Sequence, residues 1–179
     1  MQATPVLFRP GVMGEVGGHV GSDLRRAAVT ALVELGRSDH WSDRADAGAG
    51  LAGFAEMPEA RGLLLELVLD RGDTFVTRRT AQCLLRRKDR AGLSIVASAL
   101  AVADPNHGDW IHTAVIDVFS IFSADLDEAL RLCEELARDG DDRTALGARQ
   151  LHEALAEIDP VLRPVQEPRP GQGAAGGVP

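Results

Sequence analysis

Four alanines constrain this chain more than any other feature. Ala47, Ala81, Ala114 and Ala148 stand 34, 33 and 34 residues apart, each inside an apolar-striped segment. A fixed period of that length is the signature of a helical repeat: one hairpin cannot bury its own stripe, so each unit needs neighbours above and below. Ala28 precedes Ala47 by only 19 residues, so the first helix is an odd end unit. The clearest copy of the unit is Asp73–Asp104. Asp73 and Thr74 can cap a helix, because their side-chain oxygens accept the free amides of its first turn. Val76, Thr80, Cys83, Leu84 and Arg87 then recur at helical spacing on one face, with Arg78, Gln82 and Arg86 on another. Arg86, Arg87 and Lys88 close the helix, where cations suit the dipole. Asp89 caps the next helix, whose stripe is Leu93, Val96, Ala99 and Leu100 beside Ile95 and Val102. Asp104-Pro105 ends it, since a residue before proline avoids the helical region.

Asp73, Val76, Arg78 and Ala81 resemble the Asp…Val-Arg-x-x-Ala signature that opens the first helix of HEAT-like repeats, with Thr77 inserted between Val76 and Arg78. The resemblance extends over Ser22–Ile158 and is to the repeat, not to a particular protein. It implies an all-α fold, a right-handed α-α superhelix (HEAT-like, armadillo-type solenoid) of about three to four helical hairpins whose second helices line the concave side. A period near 34 also suits tetratricopeptide arrays, but their Trp, Gly, Tyr and Pro positions are absent here.

On this pattern the chain divides into an irregular arm over residues 1–21, a helical-repeat domain over 22–158 and a Pro/Gly-rich flexible tail over 159–179. The arm carries Val6, Leu7, Phe8, Val12 and Met13, which can cover the end of the stack; its glycines form no phosphate-loop or dinucleotide fingerprint. Ser22 caps the first helix and Ser42 the second, which runs through Phe54 and holds Gly48, Gly50 and Gly53. Each of these costs up to about 1 kcal/mol in propensity, tolerable where neighbouring helices press close. Pro58 starts the third helix at its favoured first position, and Arg71-Gly72 ends it. Asp104–Asp109 reads as a polar turn. The sixth helix, Trp110–Phe122, is apolar nearly all round and is expected to be the most buried. The seventh begins at Ala124-Asp125, and the eighth runs from Asp141 to Pro160. Trp41 and Trp110, each just before a helix, read as hydrophobic staples.

Charge and chemistry narrow the function. The chain has 19 Lys and Arg against 27 Asp and Glu, a net charge of −8. A nucleic-acid binder ordinarily shows a basic surplus, because phosphate neutralisation dominates its affinity. Lys88 is the only lysine, an arginine bias that suggests a GC-rich bacterial genome. Cys83 and Cys133 lie on apolar stripes and read as free, buried thiols, so no disulfide framework is implied and a cytoplasmic location is the default. No segment reaches the ~20 apolar residues of a membrane span. Asp104, His107, Asp109 and His112 gather metal-capable side chains, but the two histidines are five apart across a helix start, which does not align two imidazoles. His152-Glu153 is a single His-Glu pair, where deoxyhypusine hydroxylase-like HEAT enzymes carry several. Neither a cofactor nor a catalytic residue is expected.

Two surfaces remain. Glu59, Glu66 and Asp70 on the third helix, and Asp127, Glu128, Arg131 and Glu135 on the seventh, fall on second helices of the hairpins. The resemblance places these on the concave side, where an acidic face would steer in a basic protein or peptide. Arg78, Arg79, Arg86, Arg87, Lys88 and Arg90 form a basic cluster, the feature through which helical-repeat DNA glycosylases would suggest a nucleic-acid reader. The expected function is therefore a non-enzymatic interaction module, monomeric or weakly dimeric, binding a protein or peptide with a basic surface. An immunity- or antitoxin-like inhibitor is a special case of it, and the basic cluster supplies the nucleic-acid alternative.

Overall fold

The structure is a computed structural model that describes residues 15–163. Their regular structure is wholly helical: α1 (Glu15–Leu35), α2 (Trp41–Ala52), α3 (Pro58–Val68), α4 (Thr74–Leu85), α5 (Arg90–Leu100), α6 (Pro105–Phe119), α7 (Ser123–Asp139) and α8 (Asp142–Ala156). One isolated bridge pairs Phe122 with Leu162. No helix among these residues is long and apolar enough to cross a membrane.

Aspartates start four of the helices. Asp73 accepts from the Phe75 amide at 2.8 Å, Asp89 from Gly92 at 2.9 Å, Asp104 from His107 at 2.8 Å, and Asp141 from Thr144 at 3.0 Å. Each satisfies an amide that the helix itself leaves without a partner. The helices pack by alternation: α2, α4 and α6 contact one another in succession, as do α3 and α5, while α1 lies against α2 and α3. The closing hairpin breaks this order. α8 packs mainly on α5 and α7 and touches α6 only lightly. Ala47, Ala81, Ala114 and Ala148 are all fully buried, so the alanine period falls on packed helix faces. Glycine permits two further approaches. A Cβ on Gly48 would lie 2.1 Å from Thr80 Oγ1, and one on Gly147 1.8 Å from the Ala97 carbonyl oxygen.

Several boundaries differ from expectation. α1 begins at Glu15, so Ser22 is not its cap and residues 15–21 are helical, not part of an irregular arm. Glycine weakens a helix by only about 1 kcal/mol per residue, too little to stop one already propagating from a packed segment. Residues 1–14, with the proposed capping side chains, lie outside the described part. His40, not Ser42, is the N-cap residue of α2; the turn is held by Ser38 Oγ, which accepts from the His40 amide at 3.1 Å and donates to Asp43 at 2.7 Å. Trp41 is the first residue of α2 and Trp110 lies inside α6, so neither precedes its helix. Trp41 packs edge-on against Phe75, 34 residues on, with centroids 5.4 Å apart. The Asp104–Asp109 turn is the start of α6, with Pro105 at the position where its missing N–H costs nothing. The most buried helix is α5, not α6: every residue from Gly92 to Ala99 is buried, because α3, α4, α6, α7 and α8 all pack around it. The tail is tethered as far as Arg163: Val161 and Leu162 donate to the Ser120 and Ile121 carbonyls at 2.9 and 2.7 Å, and Ser123 donates to Leu162 at 3.0 Å. Residues 164–179 lie outside the described part.

Candidate partner-binding hollow

An open hollow of about 640 Å³ lies beside α3, where the end of α1, the α3–α4 loop and the start of α8 converge. Leu63, Leu65 and Leu69, half-buried, give it an apolar floor. Arg37, Arg44, Arg71 and Arg143 enter it from four segments, with Glu66 and Asp70 as its carboxylates.

Asp70 anchors the loop. Its carboxylate accepts from Arg44 Nε at 2.7 Å and Nη2 at 3.1 Å, and from the Gly72 and Asp73 amides at 2.9 and 2.8 Å. Burial would raise its pKa, but the Arg44 fork and the two amides outweigh it and hold the carboxyl below its ordinary value. Arg44 Nη1 donates to the Ser38 and Asp39 carbonyls, both at 3.0 Å, so one guanidinium ties the α1–α2 and α3–α4 loops together. His107 adds a third tie. Its Nε2 stands 3.0 Å from the Asp70 carbonyl and its Nδ1 2.8 Å from the Asp104 carboxylate. Desolvation opposes charge on this ring, but two acceptors favour the imidazolium, and its pKa is raised. Arg143 Nε donates to the Ser98 carbonyl at 2.9 Å, joining α8 to α5.

The acidic residues expected to face a partner divide into two groups. Glu66 is exposed in the hollow, with no cation within 4.0 Å among the described residues. Asp70 lies beside it but is only 9% exposed, and its carboxylate is engaged by Arg44. Glu59 is 4.0 Å from Arg26. On α7, Arg131 bridges Glu128, at 2.6 Å, and Glu135, which also faces Arg90 at 3.6 Å; Asp127 is exposed. Arg131 holds the Glu128 carboxyl below its ordinary value. Glu128, Arg131 and Glu135 thus form a ladder of ion pairs along α7.

Most of the basic cluster is also engaged. Arg78 binds Asp117 at 2.6 Å, Arg87 binds Asp89 at 2.6 Å and Glu56 at 3.1 Å, Lys88 binds Asp125 at 2.6 Å, and Arg90 faces Glu135. Arg79 and Arg86 are exposed, with no carboxylate within 4.0 Å among the described residues. Among the described residues, no three His, Cys, Asp or Glu side chains are arranged to hold a metal ion. Cys133 is buried, and desolvation pushes its thiol up to about 12, far from a reactive thiolate.

Of the hollow's arginines, Arg71 figured in the sequence only as a helix stop, and Arg37, Arg44 and Arg143 carried no signal. Arg37, Arg44 and Arg71 meet across the α1–α2 and α3–α4 loops, and Arg143 joins them because α8 folds back onto α5. The one local hint was the polar Asp70-Arg71-Gly72-Asp73 run after a leucine-rich helix.

The chain matches no protein-family model and no curated protein. Among solved structures it is similar to an engineered protein from a structural genomics consortium, at 17% identity and a TM-score of 0.33, over 78% of this chain and 66% of that one.

Proposed function

We propose that the protein is a non-catalytic binding module, a short HEAT-like right-handed stack of helical hairpins, that holds a protein or peptide segment in the hollow beside α3. The observation that supports this reading is the combination of an open, leucine-floored hollow with a rim of arginines held in place by backbone and carboxylate partners. Interface centres favour that composition, because apolar area supplies affinity and planar guanidiniums supply oriented hydrogen bonds at little entropic cost. A toxin held by an immunity-like protein would be one instance. Affinity capture of the full chain from its native lysate after nuclease treatment tests the reading, run in parallel with Glu66→Trp, which fills the hollow's mouth. A nuclease-resistant protein recovered about tenfold less well by the variant is the expected result; equal recovery by both forms would count against this site.

A further inference from the structure

The sign of the partner's charge follows from which side chains in the hollow are still unneutralised. We infer that the hollow takes an acidic, aliphatic peptide segment, its carboxylates held by Arg71 and Arg143 and its apolar side chains set on Leu63 and Leu69. This rests on the reading of the hollow as the binding site, and it reverses the basic partner expected from the chain's acidic surplus.

Arg44 and Asp70 cancel one another as a two-pronged pair, and Arg37 is matched by Glu34 at 2.9 Å. Arg71 and Arg143 have no carboxylate within 4.0 Å among the described residues, so Glu66 is the single unpaired acid facing two unpaired guanidiniums. A local cationic excess in a chain of net charge −8 is a departure in need of a counter-ion. Arg143 is also positioned in advance. It is anchored through Nε, which leaves its two terminal nitrogens to grip a carboxylate end-on. Arg71 extends from a loop whose next two amides are fixed by Asp70. Among the described residues no aromatic side chain lines the hollow, so nucleobases find no stacking platform there, whereas aliphatic side chains find leucines. Residues 1–14 contain no acidic residue and residues 164–179 only Glu167, so an acidic segment is sought in a partner.

Selection of a random peptide display library on the full chain at low ionic strength, followed by fluorescence anisotropy of the enriched peptides, tests this. The expected result is enrichment of net-negative peptides rich in Leu, Ile or Val. Their affinity should fall with salt and should drop about tenfold or more with Arg71→Glu and with Arg143→Gln. Arg71 is exposed and makes no intramolecular pair among the described residues, so its substitution leaves the fold standing; thermal melts check both variants. Enrichment of net-positive peptides that Glu66→Arg abolishes would overturn the charge assignment and leave the binding site intact. Peptides insensitive to Arg71→Glu, Arg143→Gln and Glu66→Trp, or no enrichment at all, would overturn both the inference and the site.

Discussion

His107 sits between two hydrogen-bond acceptors, the Asp70 carbonyl and the Asp104 carboxylate, and a neutral imidazole has one N–H to offer them. Only the imidazolium satisfies both. Its folded pKa therefore lies above the ordinary value near 6.5. Stability from this site is fully present below that value and is lost as pH rises through the folded pKa. Urea denaturation of the wild type and of His107→Gln between pH 5 and 9 checks this: the stability difference should be largest at acid pH and shrink as pH rises. A difference that grows with pH would reverse the assignment. Asp70 carries the opposite dependence, since its depressed pKa gives stability that is lost only as pH falls below the ordinary carboxylate range. Asp70→Ala removes the partner of a largely buried guanidinium and two loop caps, and should cost about 3 kcal/mol by chemical denaturation; Asp70→Asn, which can still accept from the Gly72 and Asp73 amides, should cost less. The Thr77 and Thr80 hydroxyls are buried without hydrogen-bond partners. Thr77→Val keeps the shape and deletes the unpaired hydroxyl, so it should raise stability by about 1 kcal/mol in the same assay.

At the scale of elements, glycines separate helix contact from helix surface. Gly147 lies where α8 crosses α5, and a methyl group there would meet backbone that cannot move aside. Gly62 lies within α3 with no atom near its missing Cβ. Gly147→Ala should therefore destabilise by about 3 kcal/mol or prevent folding, whereas Gly62→Ala should stabilise by about 0.5–1 kcal/mol. Equal effects in equilibrium unfolding would contradict the close α5–α8 crossing. The helices themselves were legible in the sequence because caps and apolar stripes are local: Asp73, Asp89 and Asp141 start the helices expected of them. Relative burial was misread. The large side chains Trp110, Ile111, Ile116, Val118 and Phe119 drew attention to α6, but its first turn is polar, whereas the smaller residues of α5 run almost unbroken from Leu93 to Leu100 apart from two serines, and α8 turns onto them. Pro105 was misread as the stop of α5: that helix ends at Leu100, and Pro105 opens α6. The candidate site was legible only at α3 and the loop after it, through Glu66 and Asp70; its arginines are joined by tertiary contacts across more than half the described chain.

At the scale of the molecule, helices α2 to α6 pack in alternation, and the closing hairpin departs from that order. That departure brings the start of α8 to α3 and the end of α1, and so builds the hollow. The net charge of −8 is a property of the whole surface and says little about this one place. Many acidic side chains on α7 and the α4–α5 turn are neutralised by arginines or Lys88, while the hollow retains arginines without partners. The most direct measurement is hydrogen–deuterium exchange of the full chain with and without a bound peptide or captured partner. Slowed exchange at the end of α1, in α3 and its following loop, and at the start of α8 is the predicted result. Protection confined to the exposed α4 ridge around Arg79 and Arg86, with α3 unchanged, would contradict it and move the binding surface to the basic side.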